Sequence, residues 1–190
     1  FNQHLNVDPY IRQVMKSQQE KQIKALDKDQ AETLLRSCQG KKIYLPVLLA
    51  LHTGMRRGEV FGLRYGDIDF LKRHVTIRAS YDGPTKNGRS RIVPLSDVLF
   101  KVLYNTKEYD SKYIKIIMPV YDPNPRLKTI CKKNDLPEIT FHSLRHSFCT
   151  LALESGISPK IVQELAGHSK VSTTLDYYWQ NITNEVNLGF

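Results

Sequence analysis

The sequence predicts a mainly α-helical domain with one small antiparallel β-sheet, an α+β arrangement whose strands share a single stretch of chain. Three observations carry this. Apolar residues recur at helical spacing from Leu26 to Leu63 and again from Asn124 to about Asn181. Between these blocks, from Asp67 to Pro94, the period falls to two. Asn87-Gly88 lies inside that stretch, and Asn-Gly suits a two-residue hairpin because such turns need φ > 0 at both central positions.

Each element has its own signal. Residues 1–24 are polar, contain Asp8-Pro9 and show weak periodicity, so they read as a linker or arm. Asp27 with Gln30 three residues later gives a helix N-cap, and that helix runs to about Ser37. An apolar helix follows from Ile43 to His52 and stops at Gly54, a residue suited to a left-handed cap. A short helix starts near Arg57 and carries Val60, Phe61 and Leu63. Strands are expected at Asp67–Phe70, Val75–Ala79 and Arg91–Pro94, with Lys86-Asn87-Gly88-Arg89 at the tip between the last two. Ser96 caps a helix to about Tyr104, and residues 105–123 are irregular and aromatic. Helices are then expected at Asn124–Asn134, His142–Ser155, Pro159–Ala166 and Ser172 to about Asn181. Gly156 and Gly167 mark helix ends, and Pro159 fits a first turn, where its missing N–H is not needed.

Composition narrows the function. The 190 residues suffice for one domain with a sizeable core, and residues 25–190 are assigned to it. No run of about 18 apolar residues is present to span a membrane, and the start lacks the basic and apolar regions of a signal peptide. The net charge of +9 favours anionic partners, nucleic acid first. Basic residues cluster at Lys41-Lys42, Lys72-Arg73, Lys86 to Arg91, Arg126 to Lys133 and Lys160. Spread over several segments, they describe a lined groove better than a charged tail. Cys38, Cys131 and Cys149 are odd in number, widely spaced and form no CxxC pair, which argues against a zinc cluster or a disulfide framework and fits a reduced compartment.

Four short motifs carry chemistry. In His142-Ser143-Leu144-Arg145-His146, two imidazoles and a guanidinium fall at i, i+3 and i+4, on one helix face. Arginine offers a planar donor fork for phosphate, and histidine donates a hydrogen bond or moves a proton near neutral pH. In Thr53-Gly54-Met55-Arg56-Arg57-Gly58-Glu59, Gly54 allows a sharp turn that presents Arg56, and Glu59 can hold an arginine in place. Thr85-Lys86-Asn87-Gly88-Arg89-Ser90-Arg91 forms a basic hairpin tip able to reach phosphate. In Leu165-Ala166-Gly167-His168 the glycine ends a helix and leaves His168 at a turn, with Tyr177-Tyr178 following as candidate nucleophiles.

The order and content of TGMRRGE, TKNGRSRIVPL, TFHSLRHSFCTLALESG and LAGHSKVSTTLDYY, spanning Thr53 to Tyr178, resemble the catalytic domain of the tyrosine recombinases, the phage-integrase and Xer-type group. The resemblance implies that fold and a matching set of roles. Arg56 and Arg145 would clamp the scissile phosphate, with His142 and His168 as further donors and Lys86 as the hairpin lysine. Glu59 and His146 would occupy supporting positions. The nucleophile would stand nine or ten residues after His168, where Tyr177 and Tyr178 fall. The run Thr-Thr-Leu-Asp-x-Tyr selects Tyr178, with Tyr177 as the alternative. One departure is Trp179-Gln180, where many relatives carry a histidine after the tyrosine.

The resemblance further implies double-stranded DNA with attachment sites as partner, and a homotetramer on DNA, with a monomer for the isolated fragment. It implies no cofactor, no metal ion and no membrane, and a cytoplasmic, DNA-associated place in a prokaryote. Residues 1–24 would then join a core-binding domain upstream, and residues 179–190 would form a C-terminal tail. Lys41, Lys42, Arg57, Arg89, Arg91, Lys132 and Lys133 are the expected DNA contacts. The implied activity is cleavage and rejoining of DNA through a 3′-phosphotyrosyl bond, for integration or excision of a phage or mobile element. The alternatives are a type IB topoisomerase-like enzyme and a DNA-binding relative without catalysis.

Overall fold

The computed structural model of the chain describes residues 25–80, 83–84, 90–106, 116–117 and 121–175. Helix α1 (Lys28–Cys38) begins at a reciprocal cap: Asp27 Oδ1 accepts from the Gln30 N–H at 2.8 Å, and Gln30 Oε1 accepts from the Asp27 N–H at 3.2 Å. Two of the four orphan donors at the helix start are satisfied this way. Helix α2 (Tyr44–Thr53) is apolar on nearly every side, and Val47, Leu48, Leu49, Ala50 and Leu51 are all buried. A helix that is hydrophobic all round belongs inside. Pro46 falls in its first turn, where the absent N–H costs nothing.

Helix α3 (Arg57–Gly62) is a short piece with Val60 and Phe61 buried. A 3₁₀ turn (Tyr65–Asp67) leads into β1 (Ile68–Asp69), β2 (His74–Ile77), β3 (Ala79–Ser80), β4 (Gly83–Pro84) and β5 (Arg91–Pro94). Strands β1, β2 and β5 form an antiparallel sheet in that order, with Val75 opposite Val93 and Ile77 opposite Arg91. Strands β3 and β4 form a separate antiparallel ribbon. The Asn87-Gly88 turn, with Lys86 and Arg89, lies outside the described residues. The strands are shorter than the alternation suggests. The expected Val75–Ala79 strand breaks at Arg78, and its last residue joins the ribbon instead of the sheet.

Helix α4 (Asp97–Asn105) is capped by Ser96, whose Oγ also lies 2.7 Å from His52 Nδ1 of α2. Helix α5 (Asn124–Lys133) carries Pro125 in its first turn. Helix α6 (Phe141–Glu154) starts one residue before the expected His142, because Thr140 and Ser143 exchange backbone and side-chain hydrogen bonds. Helix α7 (Pro159–Ala166) starts on Ser158 and ends at Gly167, where φ is 72°. Residues 171–175 are helical, and the remainder of the expected Ser172–Asn181 helix lies outside the described residues, as do residues 1–24.

The main core wraps α2: Leu34 and Cys38 from α1, Phe61 from α3, Val75 and Val93 from the sheet, Leu99 from α4 and Leu144 from α6. A smaller cluster of Cys149, Ala152, Val162 and Ala166 seats α7 on α6. Because α6 packs along α2 as well, the C-terminal ends of α2 and α7 meet the polar face of α6. Among the described residues no helix is long and apolar enough to cross a membrane.

Candidate active site

Two glycines end helices in the left-handed conformation, and each presents its carbonyl to an arginine. Gly54 closes α2 with φ 63°, and its carbonyl accepts from Arg145 Nη1 at 2.8 Å. Gly167 closes α7, and its carbonyl accepts from Arg56 Nη2 at 3.2 Å. Helix C-terminal carbonyls carry partial negative charge, so each fits a guanidinium. The two arginines come from elements 89 positions apart in sequence, and the fold brings them to one place.

Arg145 is 1% exposed. Burial, then the neighbouring Arg56 and Arg91, pull its pKa down to about 10, so it remains charged at neutral pH. Its Nη2 is buried and has no hydrogen-bond partner among the described residues. A buried charged donor without an acceptor is costly, and an incoming anion removes that cost.

Glu59 sits beneath the arginines, 2% exposed. Its Oε2 accepts the Arg56 backbone N–H at 2.9 Å, and its Oε1 accepts Arg56 Nη1 at 3.1 Å. Arg91 binds both carboxylate oxygens, Nη1 to Oε1 at 3.0 Å and Nη2 to Oε2 at 2.6 Å. Burial alone would raise the Glu59 pKa, but these bonds and the two positive charges hold it below the ordinary value. Two guanidinium groups therefore bind one carboxylate, and with Arg145 close by the site carries more positive charge than negative.

The histidines are arranged around this charge. His142 opens to solvent on one side. The protein packed against its other side, with Arg145 and Arg56, holds its pKa below the ordinary value. His146, one turn along, meets the His142 ring edge-on at 4.6 Å between centroids. Its pKa falls to about 3 through burial, then His142, Arg145 and His168. His168 is half-buried, with Nδ1 2.8 Å from Thr174 Oγ1, while its backbone carbonyl accepts from Gln163 Nε2 at 3.0 Å. Burial, then Arg145, Arg56, Arg91 and His142, bring its pKa to about 3. All three imidazoles are neutral at pH 7, so each offers one N–H donor and one acceptor. An open cleft of about 790 Å³ runs from Arg56 and His168 between β5 and α7, past Ile92, Lys160 and Ile161.

Of the residues expected in the site, Arg56, Glu59, His142, Arg145, His146 and His168 gather here. Lys86, Arg89, Tyr177 and Tyr178 lie outside the described residues. Arg91 requires a correction. It was expected at the DNA surface, but its side chain is 10% exposed and its guanidinium is bound to Glu59 and to the Leu165 carbonyl. The sequence reading also missed the Gly54 and Gly167 carbonyls and the Thr174 hydroxyl. Lys41, Lys42, Arg57, Lys132 and Lys133 are exposed.

Comparison with known proteins settles the family. The sequence profile described as the phage integrase family matches residues 24–185. The chain belongs to the phage integrase family. It is 33% identical over 178 residues to the tyrosine recombinase XerA of Saccharolobus solfataricus, covering 92% of this chain and 57% of that protein. It is likewise 33% identical to the transposase from transposon Tn916 of Enterococcus faecalis, over 80% of this chain and 47% of the other. The chain thus spans about half the length of the curated relatives it matches. The integrase of transposon Tn1549, solved in complex with a circular intermediate DNA, superimposes with a TM-score of 0.67 at 24% identity, covering 82% of this chain and 61% of that one. The catalytic domain of bacteriophage HP1 integrase gives 0.63 at 22% identity over 86% of this chain and 94% of the other. At these identities the likeness establishes the fold.

Proposed function

We propose that the chain is the catalytic part of a site-specific DNA recombinase that cuts and rejoins strands through a covalent tyrosine intermediate. The observation that carries this reading is the buried Arg145 donor without an acceptor, beside Arg56, in a site whose positive charge exceeds its negative. A phosphodiester fits that place. Family membership supports the same conclusion, and two of the relatives are named a recombinase and a transposase.

The chemistry follows from the groups. A phenol has an ordinary pKa near 10 and is protonated at neutral pH. As its oxygen attacks phosphorus, its proton passes to the acceptor nitrogen of a neutral imidazole, His142 or His168, and charge grows on the non-bridging oxygens. Arg56 and Arg145 neutralise it through paired hydrogen bonds, and His142 and His168 add N–H donors. The P–O5′ bond breaks, and Lys86 protonates the leaving 5′ oxygen as general acid. The products are a 3′-phosphotyrosyl bond and a free 5′ hydroxyl. A 5′ hydroxyl from a partner strand then attacks the same phosphorus, its proton passing to the now neutral Lys86, and the departing tyrosine oxygen regains its proton from the imidazolium. The phosphodiester energy is held in the covalent bond throughout.

Tyr178 is the proposed nucleophile. The proposed partner is duplex DNA at attachment sites, bound by a tetramer in which residues 179–190 bridge protomers, in the cytoplasm of a prokaryotic cell. The test is covalent trapping by the full-length protein on nicked duplexes that tile candidate attachment sites. A protein–DNA adduct is expected from wild type and from Tyr177→Phe, and none from Tyr178→Phe. Peptide mapping of the adduct to Tyr177 would reverse the assignment. DNA binding with no adduct on any duplex would make the chain a binding protein without catalysis.

A further inference from the structure

We propose that Arg91 is a positioning residue of this site: it occupies Glu59 so that Arg56 stays available to phosphate, and it supports the turn that carries His168. The inference rests on the reading of the site given above. Arg91 opens β5, five residues after Lys86 in sequence. Its side-chain hydrogen bonds among the described residues run inward. Nε donates to the Leu165 carbonyl at 2.7 Å, and both terminal nitrogens hold Glu59. A guanidinium that surrenders water in this way needs its donors matched, and here they are matched by a bidentate carboxylate and a backbone oxygen.

The distances decide how Glu59 divides its charge. Oε2 is 2.6 Å from Arg91 Nη2, whereas Arg56 reaches its nearest side-chain partner, Oε1, at 3.1 Å. The shorter, two-point contact goes to Arg91. With Arg91 absent, the one buried carboxylate would have Arg56 as its remaining side-chain cation, and a fully paired Arg56 binds an anion poorly. The second role is steric. A Cβ built on Gly167 would meet Arg91 Nη1 at 3.0 Å and Cδ at 3.1 Å, so the glycine rests directly on this side chain. The same glycine's carbonyl holds Arg56, and the next residue is His168. One side chain therefore touches the supports of two proposed phosphate ligands.

The experiment measures single-turnover adduct formation by the full-length protein on the nicked duplexes described above, with unfolding midpoints recorded for every variant. Arg91→Met is expected to slow adduct formation by roughly 100-fold, the size typical for loss of one transition-state donor, with DNA affinity changed less than about threefold. Arg91→Lys keeps the charge, loses the fork and should fall between. The discriminating variant is Arg91→Met/Glu59→Gln. Removing the carboxylate releases Arg56, so the double variant should recover about tenfold over Arg91→Met. A double variant no faster than Arg91→Met would reduce Arg91 to a structural residue and overturn the proposal. So would wild-type rates in Arg91→Met. If Arg91→Met does not fold, Arg91→Lys decides: a slowed rate at an unchanged midpoint supports positioning, and a wild-type rate overturns it. Absence of an adduct from the wild-type protein itself would instead remove the reading of the site, and this inference with it.

Discussion

Gly54 shows how much a single residue contributes without touching a substrate. Its φ of 63° is unfavourable for any residue with a Cβ, and a Cβ there would lie 2.4 Å from Phe148 Cδ1. Gly54→Ala must therefore both strain the backbone and move a ring of α6. A loss on the order of 2–3 kcal/mol in urea unfolding is expected. Because the Gly54 carbonyl holds Arg145, adduct formation should also fall at temperatures where the variant remains folded. An unfolding midpoint equal to wild type would show that the turn relaxes freely. The glycine itself was legible in sequence as a helix stop, but its second use as an acceptor was not, since carbonyl direction depends on a partner 91 residues away. Arg91 is the opposite case. Strand alternation puts it on the same face as the buried Val93 and turns Ile92 outward, where it is 60% exposed. That signal was present and was outweighed by the run of basic residues around it.

At the scale of elements, α6 carries three of the proposed site residues and was the most readable. The i, i+3, i+4 spacing correctly placed His142, Arg145 and His146 on one face, and the structure turns that face toward the ends of α2 and α7. Local spacing fixes such a face because 3.6 residues complete a turn. The short strands were less legible, since two-residue pairings such as β3 with β4 leave almost no periodic signal. The same face sets a pH dependence. His146 and His168 are held neutral in the fold, with pKa values of about 3, whereas an unfolded histidine titrates near 6.5. Their folded pKa values are depressed, so the stability they contribute is complete above about pH 6.5. It is lost as pH falls from there toward 3, because the unfolded chain then binds more protons. Glu59, also depressed, loses its share at the acid end. Urea midpoints should thus decline steadily below pH 6.5, by at most about 1.4 kcal/mol per pH unit for each imidazole. His146→Gln should flatten part of that slope, and an unchanged slope would mean the ring is protonated in the fold.

At the scale of the whole molecule, the excess of positive charge has a direction. The proposed phosphate site lies at the C-terminal end of α2. At its N-terminal end, about 15 Å away by helical rise, α1 and α5 converge, with Ser37 Oγ donating to Asn134 Oδ1 at 2.9 Å. Exposed Lys41, Lys42, Lys132 and Lys133 surround that corner. A bridge of residues links the two ends. Tyr121 donates to the Lys42 carbonyl at 3.2 Å, Arg126 lies 5.9 Å from the Tyr121 ring centre, and Asp122 pairs with exposed Arg57 at 3.4 Å. Arg57 adjoins Arg56, so cations run from the corner to the site along one side. Composition predicts a lined groove, and which of the basic clusters lie together required the fold. If DNA follows the stripe, each lysine at the corner neutralises a phosphate and releases a counterion. Replacing Lys41, Lys42, Lys132 and Lys133 by alanine should then make the plot of log K against log salt shallower by up to about 3.6, at about 0.9 per contact. Adduct formation at saturating protein should change little, because the corner is remote from the reacting phosphate. A slope altered by less than about one unit would place the corner off the DNA and confine the phosphate contacts to the end of α2 that carries Arg56 and Arg145.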